Sequence, residues 1–386
     1  MALQSSRRYQ QHRHPEIKFM KNPRIVRRIA HYFLHIPLIS IISLYIGGKM
    51  KHLVVGAGAT LAEACALGIP REECPPLMGD FARKTWAHYN PHPLLEEYLR
   101  TLGFNEIEGD PRDLFFELEK EGNANIEVFM EYCWRNRHIN FPDLNKKIPD
   151  GFISGFRISV PGAVEAPISP GEEFWENLLY HGIGSPIQLF MLQCFFENGT
   201  GWKDLHLSKT IAKYLKEGDL VLNLNYDTIF ELALEQLGQP FSYAPNTPKS
   251  NSVIVCKPHG SLNMVSNDRG FTFGQPDWLG IPQPSGYRSF SGLIPPRLNK
   301  SYKKHPISKL IIDSVRTRKP EEIIFWGIGM TESDVDLIDL YRFWSKKSPS
   351  ITIINPDKNV ANKASEILKT SVKHFIDLQS WEMDYI

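Results

Sequence analysis

One stretch constrains this chain more than any other: Lys51-His52-Leu53-Val54-Val55-Gly56-Ala57-Gly58-Ala59-Thr60. A short apolar run with β-branched residues reads as a strand. Gly56, Ala57 and Gly58 then make a tight turn, and residues 61–67 are mostly good helix formers. Strand, glycine turn and helix form the opening unit of a doubly wound sheet, whose first helix aims backbone amides at a pyrophosphate. Alone the glycine turn is a weak signal, since a turn with no ligand needs the same residues. A P-loop is excluded, because no Gly-Lys-Ser/Thr follows. Gly68-Ile69-Pro70 ends the helix.

The strand-and-helix pattern returns late in the chain. Apolar runs over 220–224, 253–256, 322–326 and 350–354 read as strands, the last of these being the final strand of the sheet. Helices are expected over 228–237, 307–316 and 334–345. Between them, 270–304 holds Pro276, Pro282, Pro284, Pro295 and Pro296 and reads as a long loop. From Asp80 to about Leu215 the pattern is mostly helical. Leu114, Phe115 and Leu118 recur at helical spacing, as do Ile126, Phe129, Met130 and Cys133, then Trp175, Leu178 and Leu179, then Leu189, Leu192, Phe195 and Phe196. These stripes read as helix packing; 141–173 reads as an extended loop. The expected fold class is α/β: a Rossmann-like parallel sheet flanked by helices, built from 51–84 and 216–386, with a largely helical insertion over 85–215.

Residues 1–50 differ from the rest. Arg7, Arg8, Arg13, Lys18, Lys21, Arg24, Arg27 and Arg28 stand against one acid, Glu16, and an apolar run follows over 29–47. That run is near the minimum for a membrane span, but it contains His31, His35 and Pro37. It reads as a signal anchor, as an extra docked helix, or as sequence ahead of a natural start at Met50. The last is preferred, because Met50 directly precedes the first strand, and no membrane insertion is expected. A net charge of +1 gives no global field toward nucleic acid. The five cysteines, Cys65, Cys74, Cys133, Cys194 and Cys256, form no Cys-x-x-Cys pair. Neither a zinc ribbon nor a dithiol redox motif is expected, and scattered thiols fit a cytoplasmic protein.

Ligands in such sheets bind beyond the carboxyl ends of the strands. Each polar cluster falls at such an end: Gly56-Ala57-Gly58 with Thr60, Asn225-Tyr226-Asp227, His259-Gly260-Ser261, Gly327 to Asp334, and Asn355. Asn225 or Asp227 reads equally as a helix cap. Read functionally, the Asn225 amide holds a ribose hydroxyl or a water and Asp227 orders the pocket. An isolated His is usually structural, but His259 beside Gly260 at a strand end suits general-base work near neutral pH.

In this order, Gly56-Ala57-Gly58, Gly68-Ile69-Pro70, Asn225-Tyr226-Asp227, His259-Gly260-Ser261 and Asn355 resemble the Sir2 (sirtuin) superfamily. The stretches 222–231, 257–263, 293–300 and 327–334 are similar to its bacterial SIR2-like branch of antiphage NAD hydrolases. The resemblance covers roughly residues 51–386 and is weaker in the helical insertion. It implies NAD as substrate. Gly56, Ala57, Gly58, Thr60 and Gly327 would line the dinucleotide site. Asn225 and Asp227 would contact nicotinamide and its ribose, His259 would be the catalytic base, and Asn355 would meet the adenosine ribose. The implied activity is cleavage of NAD to nicotinamide and ADP-ribose, gated by a homo-oligomer or a partner protein.

Two departures set this chain apart from a sirtuin deacylase. The four-cysteine zinc module is missing, so no zinc is expected. Arg71-Glu72-Glu73 follows Gly68-Ile69-Pro70 where sirtuins continue with Asp, Phe and Arg; Asp80-Phe81-Ala82-Arg83 comes later. Both shift the expected acceptor from acyl-lysine to water. An NAD-dependent deacylase and a non-catalytic NAD or ADP-ribose sensor remain the alternatives, and hydrolysis is not separated from cyclisation.

Overall fold

The computed structural model describes residues 50–86, 92–136 and 180–385, apart from 198, 268–269, 278–287, 290–292, 299, 303–304, 332 and 348. The readings of the N-terminal extension, of the 141–173 loop and of the Trp175, Leu178 and Leu179 stripe fall outside the described residues.

Seven strands form one parallel sheet: β1 (Lys51–Val55), β2 (Leu220–Asn223), β3 (Phe241–Tyr243), β4 (Val253–Cys256), β5 (Glu322–Trp326), β6 (Ser350–Ile354) and β7 (Lys373–Phe375). Their order is β7-β6-β5-β1-β2-β4-β3. Every pairing is parallel, with Val55 opposite Trp326 on one side and Asn223 on the other. The expected α/β sheet flanked by helices is therefore present.

Side chains alternate along each strand, which assigns the two faces. Leu53, Val55, Val221, Val255, Ile324 and Trp326 share one core with α1 (Ala57–Ala66), α7 (His206–Ala212), α8 (Ile229–Gln236) and α12 (Leu378–Tyr385). Val54, Leu222, Cys256, Phe325 and Ile353 share the other with α9 (Pro306–Arg316), α10 (Val335–Ser345) and α11 (Lys358–Leu368). A sheet covered on both faces needs consecutive apolar residues in its strands, as in Leu53-Val54-Val55, Leu220-Val221-Leu222, Val253 to Cys256 and Ile323 to Trp326.

A third core belongs to the helical block: α2 (Phe81–Trp86), α3 (His92–Thr101), α4 (Pro111–Lys120), α5 (Ile126–Asn136) and α6 (Ser185–Phe195). Phe115 and Leu118 of α4 are buried, as are Ile126, Phe129, Met130 and Cys133 of α5, in line with their spacing. The stripe in α6 turns out differently. Leu189 and Leu192 face outward at 38% and 40% exposure, while Ile187, Phe190, Met191, Cys194 and Phe195 are buried. Both faces of α6 are apolar, so periodicity alone did not choose the inner one.

Two further readings are corrected. β6 is not the last strand, because β7 pairs beyond it, and β3 closes the opposite edge. The 270–304 stretch is not all loop: Gly270–Phe273 and Arg288–Ser289 flank Met264–Asn267 in an antiparallel ribbon. No helix of the described residues is long and apolar enough to cross a membrane.

Candidate active site

The chain passes from β1 to β2 on one side of the sheet, while β5 sits on the other side of β1. The boundary between β1 and β5 is therefore the switch point where the two loops diverge and leave a crevice. Gly56 and Gly327 follow these two strands. The Gly56 N–H donates to Trp326 O at 3.0 Å and the Gly58 N–H to Gly327 O at 2.9 Å. A Cβ on Gly56 would lie 2.7 Å from Gly327 O, and one on Gly58 would lie 2.8 Å from it. The glycines thus admit the Gly327 turn first, and they engage part of the first-turn amide set of α1. Ala57 between them is exposed.

Asn225 lies two residues beyond β2 and reaches across to the same turn. Its Nδ2 donates to Gly56 O at 3.0 Å and to Thr60 Oγ1 at 2.9 Å. Thr60 passes its hydroxyl hydrogen to Asp227 Oδ2 at 2.9 Å, and Asp227 Oδ1 accepts the Ile229 N–H at 3.1 Å, capping α8. The Asn225 amide hydrogens are thus engaged, and what Asn225 offers a ligand is its carbonyl oxygen. Burial raises the Asp227 carboxyl, against the pull of Lys257 and these donors. Beneath the turn, Lys257 pairs with Glu231 at 3.2 Å, both side chains fully buried, and donates to Asp227 O. Glu231 in turn accepts from Asn223 Nδ2 at 2.9 Å.

His259 follows β4. Its Nδ1 lies 2.9 Å from Leu224 O, which can only accept, so Nδ1 carries the hydrogen. Nε2 then accepts from the Tyr302 hydroxyl, and the two rings stack 5.7 Å apart. Asp334 Oδ1 lies 3.8 Å from Nε2, an ion-pair distance too long for a hydrogen bond. Lys300 sits 3.5 Å from the same oxygen and 3.4 Å from Glu127 of α5. Burial opposes charge on Asp334, but His259 when protonated, Lys300 and the Thr331 hydroxyl outweigh it and hold the carboxyl well below its usual range.

Asn225, Asp227, His259, Lys300 and Asp334 line one cavity of about 730 Å³, inside the range typical of small-molecule sites. Its wall includes Gly56, Ala57, Gly58, Thr60, Asn225, Asp227, His259, Gly327 and Asn355, every residue the sequence reading selected. The Asn355 side chain, however, bonds within the protein at both ends: Nδ2 to Ile328 O at 2.9 Å, and Oδ1 from the Asp357 N–H at 2.9 Å. It shapes the wall. Lys300, Met330, Asp334 and Tyr341 line the cavity too and were given no role from sequence. Phe81 and Ile187 carry the helical block to the cavity, whereas Arg83 is exposed and does not line it. A second hollow of about 540 Å³, among Arg342, Lys346 and Lys369, contains none of the strand-end residues.

No family model matches the chain, and no curated protein matches it. Among the described residues no group of three or more His, Cys, Asp or Glu side chains is arranged to hold a metal ion. All five cysteines are free thiols.

Proposed function

We propose that the chain is an NAD glycohydrolase that gives nicotinamide and ADP-ribose. One observation carries this reading: residues from five separate strand ends, chosen from sequence, line a single cavity at the switch point of a parallel sheet. The chemistry of the wall suits the substrate. The start of α1, at the exposed Ala57, offers the positive end of a helix dipole to a diphosphate. The Asn225 carbonyl oxygen can accept a ribose hydroxyl. In the reaction the C1′–N bond breaks, its electron pair leaves with nicotinamide, and water adds at C1′ while losing a proton. His259 is the proton acceptor, which requires the Tyr302 hydroxyl to turn from donor to acceptor, a rotation about one bond. Unchecked consumption of NAD is toxic, so the activity calls for a gate. The helical block reaches the cavity through Phe81 and Ile187 and approaches His259 through Glu127 and Lys300. It is the natural seat of a partner or of a second copy, in the setting of an antiphage-defence effector.

Nicotinamide release from NAD tests the reading. His259→Ala is expected to lower turnover by about 10²–10⁴-fold, and Asn225→Ala to lower it as well. No release by the wild-type chain, alone or with extract of phage-infected cells, would sink it. So would full activity in both variants. A nucleotide sensor is the second reading, favoured by the engagement of both His259 nitrogens. It requires NAD or ADP-ribose to bind without turnover.

A further inference from the structure

Asp334 stands at the border between cavity and interior. It lines the cavity, yet its Oδ1 is sealed from solvent and takes no hydrogen bond. Its Oδ2 accepts from Thr331 Oγ1 at 3.1 Å. The other buried carboxylate of the wall is committed elsewhere, since both Asp227 oxygens accept from Thr60 and from the Ile229 amide. Asp377 caps α12 through the Ser380 N–H at 2.7 Å. Lys300 does not cancel Asp334, because its ammonium is shared with Glu127. The chain Glu127, Lys300 and Asp334 therefore keeps one net negative charge beside His259, in the wall of the cavity. A sugar whose C1′–N bond is breaking gathers positive charge at the ring, and a fixed carboxylate there acts when that charge appears.

Resting on the proposed NAD cleavage, we propose that Asp334 is a catalytic carboxylate that presents Oδ2 toward C1′ of the ribose and stabilises its developing positive charge. Asp334 forms no bond to carbon in this role. The leaving electron pair goes to the nicotinamide nitrogen, and water supplies the oxygen that C1′ gains.

The test compares the wild-type chain with Asp334→Asn, which keeps the shape and removes the charge. Nicotinamide release and ADP-ribose binding are measured on both. The charge-free variant is expected to lose about 100-fold in kcat, with KM within about threefold. Its ADP-ribose affinity is expected to match the wild type, since that ligand has no nicotinamide cation. Asp334→Glu, which keeps the charge but displaces it, is expected to fall between the two. An active wild type with Asp334→Asn at near-full kcat rejects the role of Asp334 alone. Equal losses in both variants, together with lost ADP-ribose binding, make Asp334 a structural residue and also reject it. A wild-type chain that binds ADP-ribose but releases no nicotinamide rejects the NAD reaction itself.

Discussion

Lys257→Met is expected to cost about 3–5 kcal/mol of folding stability, because it leaves Glu231 as an unpaired charge in the core. Both side chains have no exposed surface, and their separation is 3.2 Å. Glu231 Oε1 has no hydrogen-bond partner, so the ammonium is its main compensation. Burial already raises the Glu231 carboxyl, and Lys257 opposes that rise. Without the lysine the carboxyl rises further. A carboxyl whose folded value exceeds its unfolded one costs stability as pH climbs between the two, because the unfolded chain gives up the proton first. The deficit of Lys257→Met is therefore smallest in acid and grows as pH rises toward neutral. Urea unfolding of wild type and variant across that range measures it; a deficit under 1 kcal/mol at neutral pH, or one that grows toward acid, would refute the assignment. The same ammonium also holds the Asp227 carbonyl, so under the proposed function a folded variant is expected to bind NAD less well.

Gly327→Ala is expected to destabilise by about 2–6 kcal/mol, through backbone strain and overpacking together. Gly327 has φ of +65°, and a Cβ built on it lies 2.1 Å from Ala59 N and 2.5 Å from Gly58 C. Those atoms belong to the first turn of α1 and cannot give way as a flexible side chain would. The β5 turn must then lift off α1, which opens the switch point where the substrate is proposed to sit. Gly79→Ala is the control. Gly79 also lines the cavity, but nothing lies within 4 Å of its would-be Cβ, so its change should stay within about 0.5 kcal/mol. Equal denaturation midpoints for the two variants would show that the close approach is not needed.

The sheet was legible because β1, β2, β4, β5 and β6 are buried on both faces and are each built around consecutive apolar, mostly β-branched or Leu residues. The edges were not. Phe241-Ser242-Tyr243 and Lys373-His374-Phe375 are three residues each, and they become strands only because β4 and β6 offer a paired edge. For the site, sequence order was enough to find the residues that end strands. It was not enough to say what they touch. Asn355 looked like a ligand contact, but its amide is closed by Ile328 and Asp357. Gly56 and Gly58 looked like a phosphate cradle, yet their space is used by Gly327. Tyr302 and Lys300 come from a proline-rich stretch with no period, and Asp334 stands at the start of an expected helix. Their meeting with His259 is a product of tertiary folding, and only charge type and position near a strand end hinted at it.

The start of α7 has a consequence for how this chain came to be assembled. Its N-cap, Leu205, supplies no side-chain acceptor. Instead Glu63 of α1, fully buried, accepts from the His206, Leu207 and Ser208 amides at 2.6, 3.2 and 2.6 Å. The point where the chain leaves the sheet domain after α1 is thus stapled beside the point where it comes back. Lengthening such a detour adds closure entropy only logarithmically, so what lies between Gly68 and Leu205 is free to change in length with little cost to the sheet. The helical block is in that sense an exchangeable cassette: the host keeps the strand-end side of its cavity, and a new block would rebuild the wall that Phe81 and Ile187 now supply.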